Sequence, residues 1–171
     1  AYEIKECDWS SDVCSSDLYV PTSSYEEVGK SPTYNCCTFR GAVVALDVAT
    51  GKTIWRAYAI PEEPKLMGKR PDGGESWGPS GGAIWSAPTL DVKRGLIYVG
   101  VGNTYSGRAS QPGTDAIVAF DLKTGAMKWS QQLAPNDVYG CRNGEPNCGN
   151  EQGPDYDFGA SPALTTRADG R

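Results

Sequence analysis

The chain has 171 residues, with 16 basic and 21 acidic side chains, no histidine and a net charge of −5. No apolar run approaches the roughly 20 residues that a membrane-spanning helix needs, and no Lys/Arg cluster marks a nucleic-acid surface. Glycine (21), proline (12), tyrosine (9) and tryptophan (5) are plentiful and no long amphipathic helical stretch occurs, so the expected class is all-β.

The first residues stand apart. Residues 8–18 read DWSSDVCSSDL, with no apolar period for a strand or a helix. In one reading frame they translate the body of a common sequencing-adapter oligonucleotide, and Ala1–Ile4 fit the constant stretch upstream of its variable barcode. Residues 1–18 are therefore expected to be a non-native, adapter-derived segment that packs against nothing. On this reading the native chain resumes at 19 without its own N-terminus. Most of the negative charge leaves with the segment, which sets Lys5 against Glu3, Glu6, Asp8, Asp12 and Asp17.

Residues 19–171 are organised by an internal repeat: AVVALDVATGKTIW at 42–55 and AIVAFDLKTGAMKW at 116–129. Each is predicted to be a hairpin in which an Asp (Asp47, Asp121) accepts turn amides and a Gly (Gly51, Gly125) supplies the positive φ of a tight turn. The closing Trp55 and Trp129 are expected to pack between neighbouring sheets. Residues 19–58 then form most of one sheet, or blade, and 59–83 a loop. SAPTLD at 86–91 and GLIYVGVGN at 95–103 supply the strands that complete a four-stranded blade over 84–132. A loop follows at 133–157, and FGASPALTTRADG starts a further blade over 158–171. Units of this kind bury their faces against neighbours, so each blade needs another beside it.

The shared AxDxxTGxxxW pattern resembles the tryptophan-docking motif of the quinoprotein alcohol dehydrogenases, eight-bladed β-propellers that hold pyrroloquinoline quinone (PQQ) near the central axis. NCCTFRGAVVALDVATGKTIW, WGPSGGAIWSAPTLD and GPDYDFGASPAL are most similar to the polyvinyl-alcohol-dehydrogenase branch. The resemblance covers residues 19–171 and implies about two four-stranded blades of such a propeller. Outer-membrane assembly lipoproteins use similar blades without a cofactor, so the residues at the site positions decide between an enzyme and a non-catalytic scaffold for envelope protein assembly.

Those positions are filled. In YVPTSSYEE (19–27) the resemblance implies that Ser23 contacts the PQQ carboxylate and Glu26 binds Ca²⁺, with Glu27 the adjacent alternative; carboxylate and amide oxygens suit that hard cation. Trp85 matches the family tryptophan that lies under the planar quinone, where a flat ring offers apolar area at little conformational cost. Asn103, ending LIYVGVGN, matches a second Ca²⁺ ligand at the family's spacing from Trp85. Asp155, in PDYDFGASP, matches the general base that takes the alcohol proton, although Pro154 stands where the family has Trp; Asp157 is the alternative.

The vicinal Cys36 and Cys37 either bond to one another or pair outside the chain. Related dehydrogenases carry a vicinal disulfide over the cofactor, but in a different loop, so that role is not carried across. Cys141 and Cys148 flank a short polar loop and suggest a local clamp. Without histidine or a CxxC pair, a zinc site is not expected. Disulfides fit an oxidising compartment, here the periplasm. The resemblance thus implies part of a periplasmic PQQ- and Ca²⁺-dependent alcohol dehydrogenase, expected to act on secondary alcohols such as polyvinyl alcohol and to pass electrons to a cytochrome c. The inserts at 60–82 and 138–154 are expected on the substrate-facing rim.

Overall fold

The computed structural model describes residues 17–26, 33–106, 113–135, 137 and 156–165. In chain order the strands are β1 (Asp17–Pro21), β2 (Ala42–Asp47), β3 (Thr53–Tyr58), β4 (Lys65–Lys69), β5 (Glu75–Gly78), β6 (Thr89–Asp91), β7 (Leu96–Val101), β8 (Ala116–Asp121) and β9 (Met127–Gln132). They form an antiparallel three-stranded sheet β1-β2-β3, a hairpin β4-β5, and an antiparallel four-stranded sheet β6-β7-β8-β9. Among the described residues no helix is long and apolar enough to cross a membrane.

The repeat in sequence is a repeat in register. Tyr19, Ala45 and Trp55 lie side by side across the first sheet, and Tyr98, Ala119 and Trp129 across the second. The ladder shifts register at the same place in both, between Ala45 and Leu46 and between Ala119 and Phe120. The turns are built as the pattern demands. Asp47 Oδ1 accepts the Thr50 N–H at 2.7 Å, and Asp121 Oδ1 accepts that of Thr124 at 3.0 Å. Gly51 and Gly125 follow at φ 70° and 71°, a conformation that a side chain disfavours.

The core lies between the two sheets. Val43, Ala45, Trp55 and Ala57 on the first meet Ile97, Val99, Val101, Ala116, Val118 and Phe120 on the second. Strand alternation explains the set, because positions two apart share a face. Each such Val, Ile or Phe removed from water contributes about 1.5–3 kcal/mol before ordering costs. Trp55, 9% exposed, bridges the sheets by packing on the Gly125 turn, whereas its repeat partner Trp129 is 43% exposed. Tyr19 adds a second tie, its hydroxyl donating to the Leu122 carbonyl at 3.3 Å.

Two boundaries differ from expectation. β1 starts at Asp17, inside the segment expected to be adapter-derived and unpacked, with Asp17 opposite Asp47 and Leu18 opposite Leu46. Pairing there uses main-chain groups that any residue supplies, and the Leu18 side chain stays exposed. The stretch 59–83 is not a plain loop but holds the β4-β5 hairpin. Its turn, Pro71-Asp72-Gly73-Gly74, is a legible turn signal. Buried Arg70 locks it, donating to the Glu75 carbonyl at 2.7 Å and the Tyr34 carbonyl at 3.0 Å and pairing with Asp72 at 3.2 Å. Residues 156–165 have no regular strand. They pass over Gly100 of β7, and the Pro162 carbonyl accepts the Thr89 hydroxyl hydrogen at 2.5 Å.

Candidate functional site

The site grows from the strip 81–85, which threads between the ends of the two sheets. Gly81 N–H donates to the Phe39 carbonyl and the Gly81 carbonyl accepts from Gly41 N–H. On the other side, Gly82 N–H donates to Asn103 O at 2.8 Å and Gly102 N–H to Ala83 O at 3.0 Å. Ile84 N–H reaches Thr22 O at 2.9 Å while its side chain is buried in the core. The next residue, Trp85, must then point away from the core, and it does: 47% of it is exposed.

Trp85 is nevertheless held. A Cβ added at Gly102 would stand 2.5 Å from Trp85 Cζ3, and one added at Gly159 would stand 2.8 Å from Cε2. The ring therefore rests against main chain at two glycines, from β7's end and from the 156–165 segment. Its remaining surface is open, a platform on which a planar ligand can stack.

Asn103 lies beside it, buried. Its main-chain N–H donates to Asp157 Oδ1 at 3.0 Å, and its Nδ2 to the Thr104 carbonyl at 3.2 Å. Asp157 is thus the carboxylate that the structure brings to Asn103 and Trp85; the same Oδ1 would be 2.7 Å from a Cβ at Gly102. Asp155, together with Glu27, Cys141 and Cys148, lies outside the described residues. The chain next to Asp155 is anchored by buried Asp137, whose Oδ2 accepts the Tyr156 N–H at 2.7 Å.

Glu26 is buried too, but it faces a different group of residues. Oε2 accepts Phe39 N–H at 2.7 Å, both oxygens accept Thr38 N–H at 3.0 Å, and Oε1 accepts the Tyr34 hydroxyl at 2.7 Å. That last bond is the main cause holding the Tyr34 hydroxyl above its ordinary pKa. Cys36 and Cys37 are bonded to each other, which settles their pairing. The segments of Glu26 and Asn103 are tied through Tyr105, whose hydroxyl donates to Ser24 O at 3.0 Å. Ser23 is solvent-exposed at the end of the β1 extension.

The structure therefore assembles Trp85, Asn103, Asp157 and two glycines at one point, with Glu26 in an adjoining loop. The platform fits a flat cofactor ring. For a hard cation the donor chemistry fits as well: Glu26 is a buried carboxylate whose hydrogen-bond partners among the described residues are the neutral groups of Tyr34, Thr38 and Phe39. Among the described residues no three His, Cys, Asp or Glu side chains cluster. A cation here would draw further ligands from amide oxygens such as that of Asn103. Asp157 stands in the sequence as the alternative to Asp155 for the base, whereas Gly102 and Gly159 are given no role there, although GxGN and DYDFG contain them.

Comparison with known proteins identifies the family. Residues 18–148 match the family described as glucose/ethanol/alcohol dehydrogenase, β-propeller domain (PQQ). Polyvinylalcohol dehydrogenase from Sphingopyxis sp. (strain 113P3) is 46% identical over 160 residues, 90% of this chain and 24% of that protein. The enzyme of the same name from Pseudomonas sp. is 43% identical over 157 residues, with the same shares covered. The chain thus spans about a quarter of the length of these curated relatives. Among solved structures, quinohemoprotein alcohol dehydrogenase ADHIIG from Pseudomonas putida HK5 superposes with a TM-score of 0.52 at 25% identity, covering 74% of this chain and 20% of that one. That from Comamonas testosteroni gives 0.50 at 25%, covering 72% and 20%. The chain belongs to the PQQ β-propeller family of glucose, ethanol and alcohol dehydrogenases.

Proposed function

We propose that this chain is part of a periplasmic, PQQ- and Ca²⁺-dependent dehydrogenase that oxidises alcohols, polyvinyl alcohol or other secondary alcohols. The observation that carries the reading is Trp85, half-exposed yet held against Gly102 and Gly159 beside buried Asn103. A propeller that served only as a scaffold would have no use for an open indole platform next to a buried amide. The similarity to two polyvinylalcohol dehydrogenases supports the substrate class. The Cys36–Cys37 disulfide supports the periplasmic compartment. A cytochrome c-type acceptor is the natural outlet for the electrons.

PQQ, when bound, supplies the two-electron acceptor. The chain's own residues supply position and electrostatics. Trp85 stacks under the cofactor ring and Ser23 hydrogen-bonds its carboxylate edge. Asn103 and Glu26 offer oxygens to the cation. Asp155, or else Asp157, takes the hydroxyl proton of the alcohol. In an intact protein reconstituted with PQQ and Ca²⁺, Trp85→Ala should lower PQQ occupancy and Asn103→Ala should weaken Ca²⁺-dependent loading. Asp155→Asn should leave PQQ bound while turnover in a dye-linked assay falls by a factor of roughly 10² to 10⁴. Wild-type turnover in Asp155→Asn would move the base to Asp157. Unchanged loading and turnover in all three variants would overturn the enzyme reading in favour of a scaffold.

A further inference from the structure

We infer that the Cys36–Cys37 disulfide loop is a positioning device for the Glu26 carboxylate, an inference that rests on the cation-ligand role proposed for Glu26. The loop meets Glu26 twice. The two sulfurs lie 3.5 and 4.0 Å from the Glu26 carbonyl oxygen; having no hydrogen to donate, they make van der Waals contact and fix the main chain. The next two residues then present their N–H groups to the carboxylate, Thr38 at 3.0 Å and Phe39 at 2.7 Å. Cysteines and amides are consecutive in the chain, so the covalent ring closes immediately before the two donors.

The loop is itself held from outside. Cys36 and Cys37 are almost fully buried with Ala83 and Tyr105, and Phe39 packs on that cluster, stacked on the Tyr105 ring at 6.2 Å. Three main-chain bonds join the loop to β5: Cys36 N–H to Glu75 O at 3.1 Å, Cys37 N–H to Trp77 O at 3.1 Å, and Trp77 N–H to Cys36 O at 2.7 Å. The β4-β5 hairpin therefore buttresses this loop. The outcome is a buried carboxylate oriented by dipoles on a loop that is bonded to β5 and packed on Ala83 and Tyr105. The ring removes torsional freedom just where the two amides must stay aligned. Groups that orient a metal ligand typically change metal affinity by about 10- to 100-fold when lost.

The test is a double-mutant cycle on the intact protein, reading the CaCl₂ concentration at which half the protein takes up PQQ, by cofactor absorbance. Glu26→Gln and Cys36→Ala/Cys37→Ala should each raise that concentration about tenfold or more. The triple variant should be no worse than Glu26→Gln alone, since a group acting through Glu26 has nothing left to orient. If the two effects multiply instead, the disulfide acts on the fold at large and the inference is overturned while Glu26 keeps its role. If Glu26→Gln leaves the CaCl₂ dependence unchanged, the ligand role of Glu26 fails and the inference falls with it. Should the cysteine variant not fold by circular dichroism, Cys36→Ser/Cys37→Ser replaces it, since it nearly keeps the buried side-chain volume and removes the covalent ring. Its effect must likewise vanish in the Glu26→Gln background, and additivity would again overturn the inference.

Discussion

Trp55 of the first sheet packs directly on Gly125 of the second: a Cβ added at that glycine would stand 2.6 Å from Trp55 Cε3 and 2.8 Å from Cδ2. The repeat motif thus contains both halves of an inter-sheet joint, the Trp of one copy and the Thr-Gly turn of the next. Gly125→Ala should cost about 1 kcal/mol for the positive φ and about 1–3 kcal/mol more for overpacking. In a Trp55→Leu background the overpacking share should disappear and the φ share should remain. Equal costs in the two backgrounds, measured by denaturant unfolding, would show that the ring does not seat on this turn.

Gly102 faces both the Trp85 ring and the Asp157 carboxylate. Gly102→Ala should displace the platform, and an overpacking penalty of about 1–3 kcal/mol at the ring translates into a loss of PQQ affinity of about 5- to 150-fold. Secondary structure should be unchanged by circular dichroism. Wild-type PQQ affinity in this variant would mean that Trp85 is not where the cofactor stacks.

Arg70 is buried, and its guanidinium serves two carbonyls and Asp72 at once. Lysine keeps the charge but not the planar fork. Arg70→Lys should therefore cost about 1.5–3 kcal/mol of stability, the worth of a charge-assisted hydrogen bond lost without replacement. The β4-β5 hairpin should show it first, as faster amide exchange at Gly74 and Glu75. Unaltered exchange there would mean that the turn holds without the arginine.

Asp121 accepts from Lys128, Thr124 and Lys123, the lysine foremost, and these bonds lower its pKa from 3.8 to about 2. A depressed carboxylate stabilises the fold above its unfolded pKa, and that contribution is lost as pH falls through the folded value. The contribution of Asp121 should therefore be intact above about pH 4 and gone below about pH 2. Asp121→Asn should be less stable than wild type at neutral pH, and the gap should close across that window. A gap that stays constant down to pH 2 would contradict the assignment.

The repeat, the strand pairs, the Asp–Thr–Gly turns and the family were legible in the sequence, because each is encoded within a few consecutive residues. Alternation places Val43 and Ala45 on one face, and Asp121 and Gly125 specify their own turn. Trp85 and Asn103 were legible as site candidates because each ends a short recognisable stretch. Other features were decided by where the chain returns. Asp157 meets Asn103 across 54 positions. Glu26 turns to the amides of Thr38 and Phe39, and the vicinal cysteines close on each other while β5 supports them from a stretch that reads as a loop. A buried carboxylate takes the nearest unpaired donors, and those depend on the path of the backbone in three dimensions. Local pattern does not record that path.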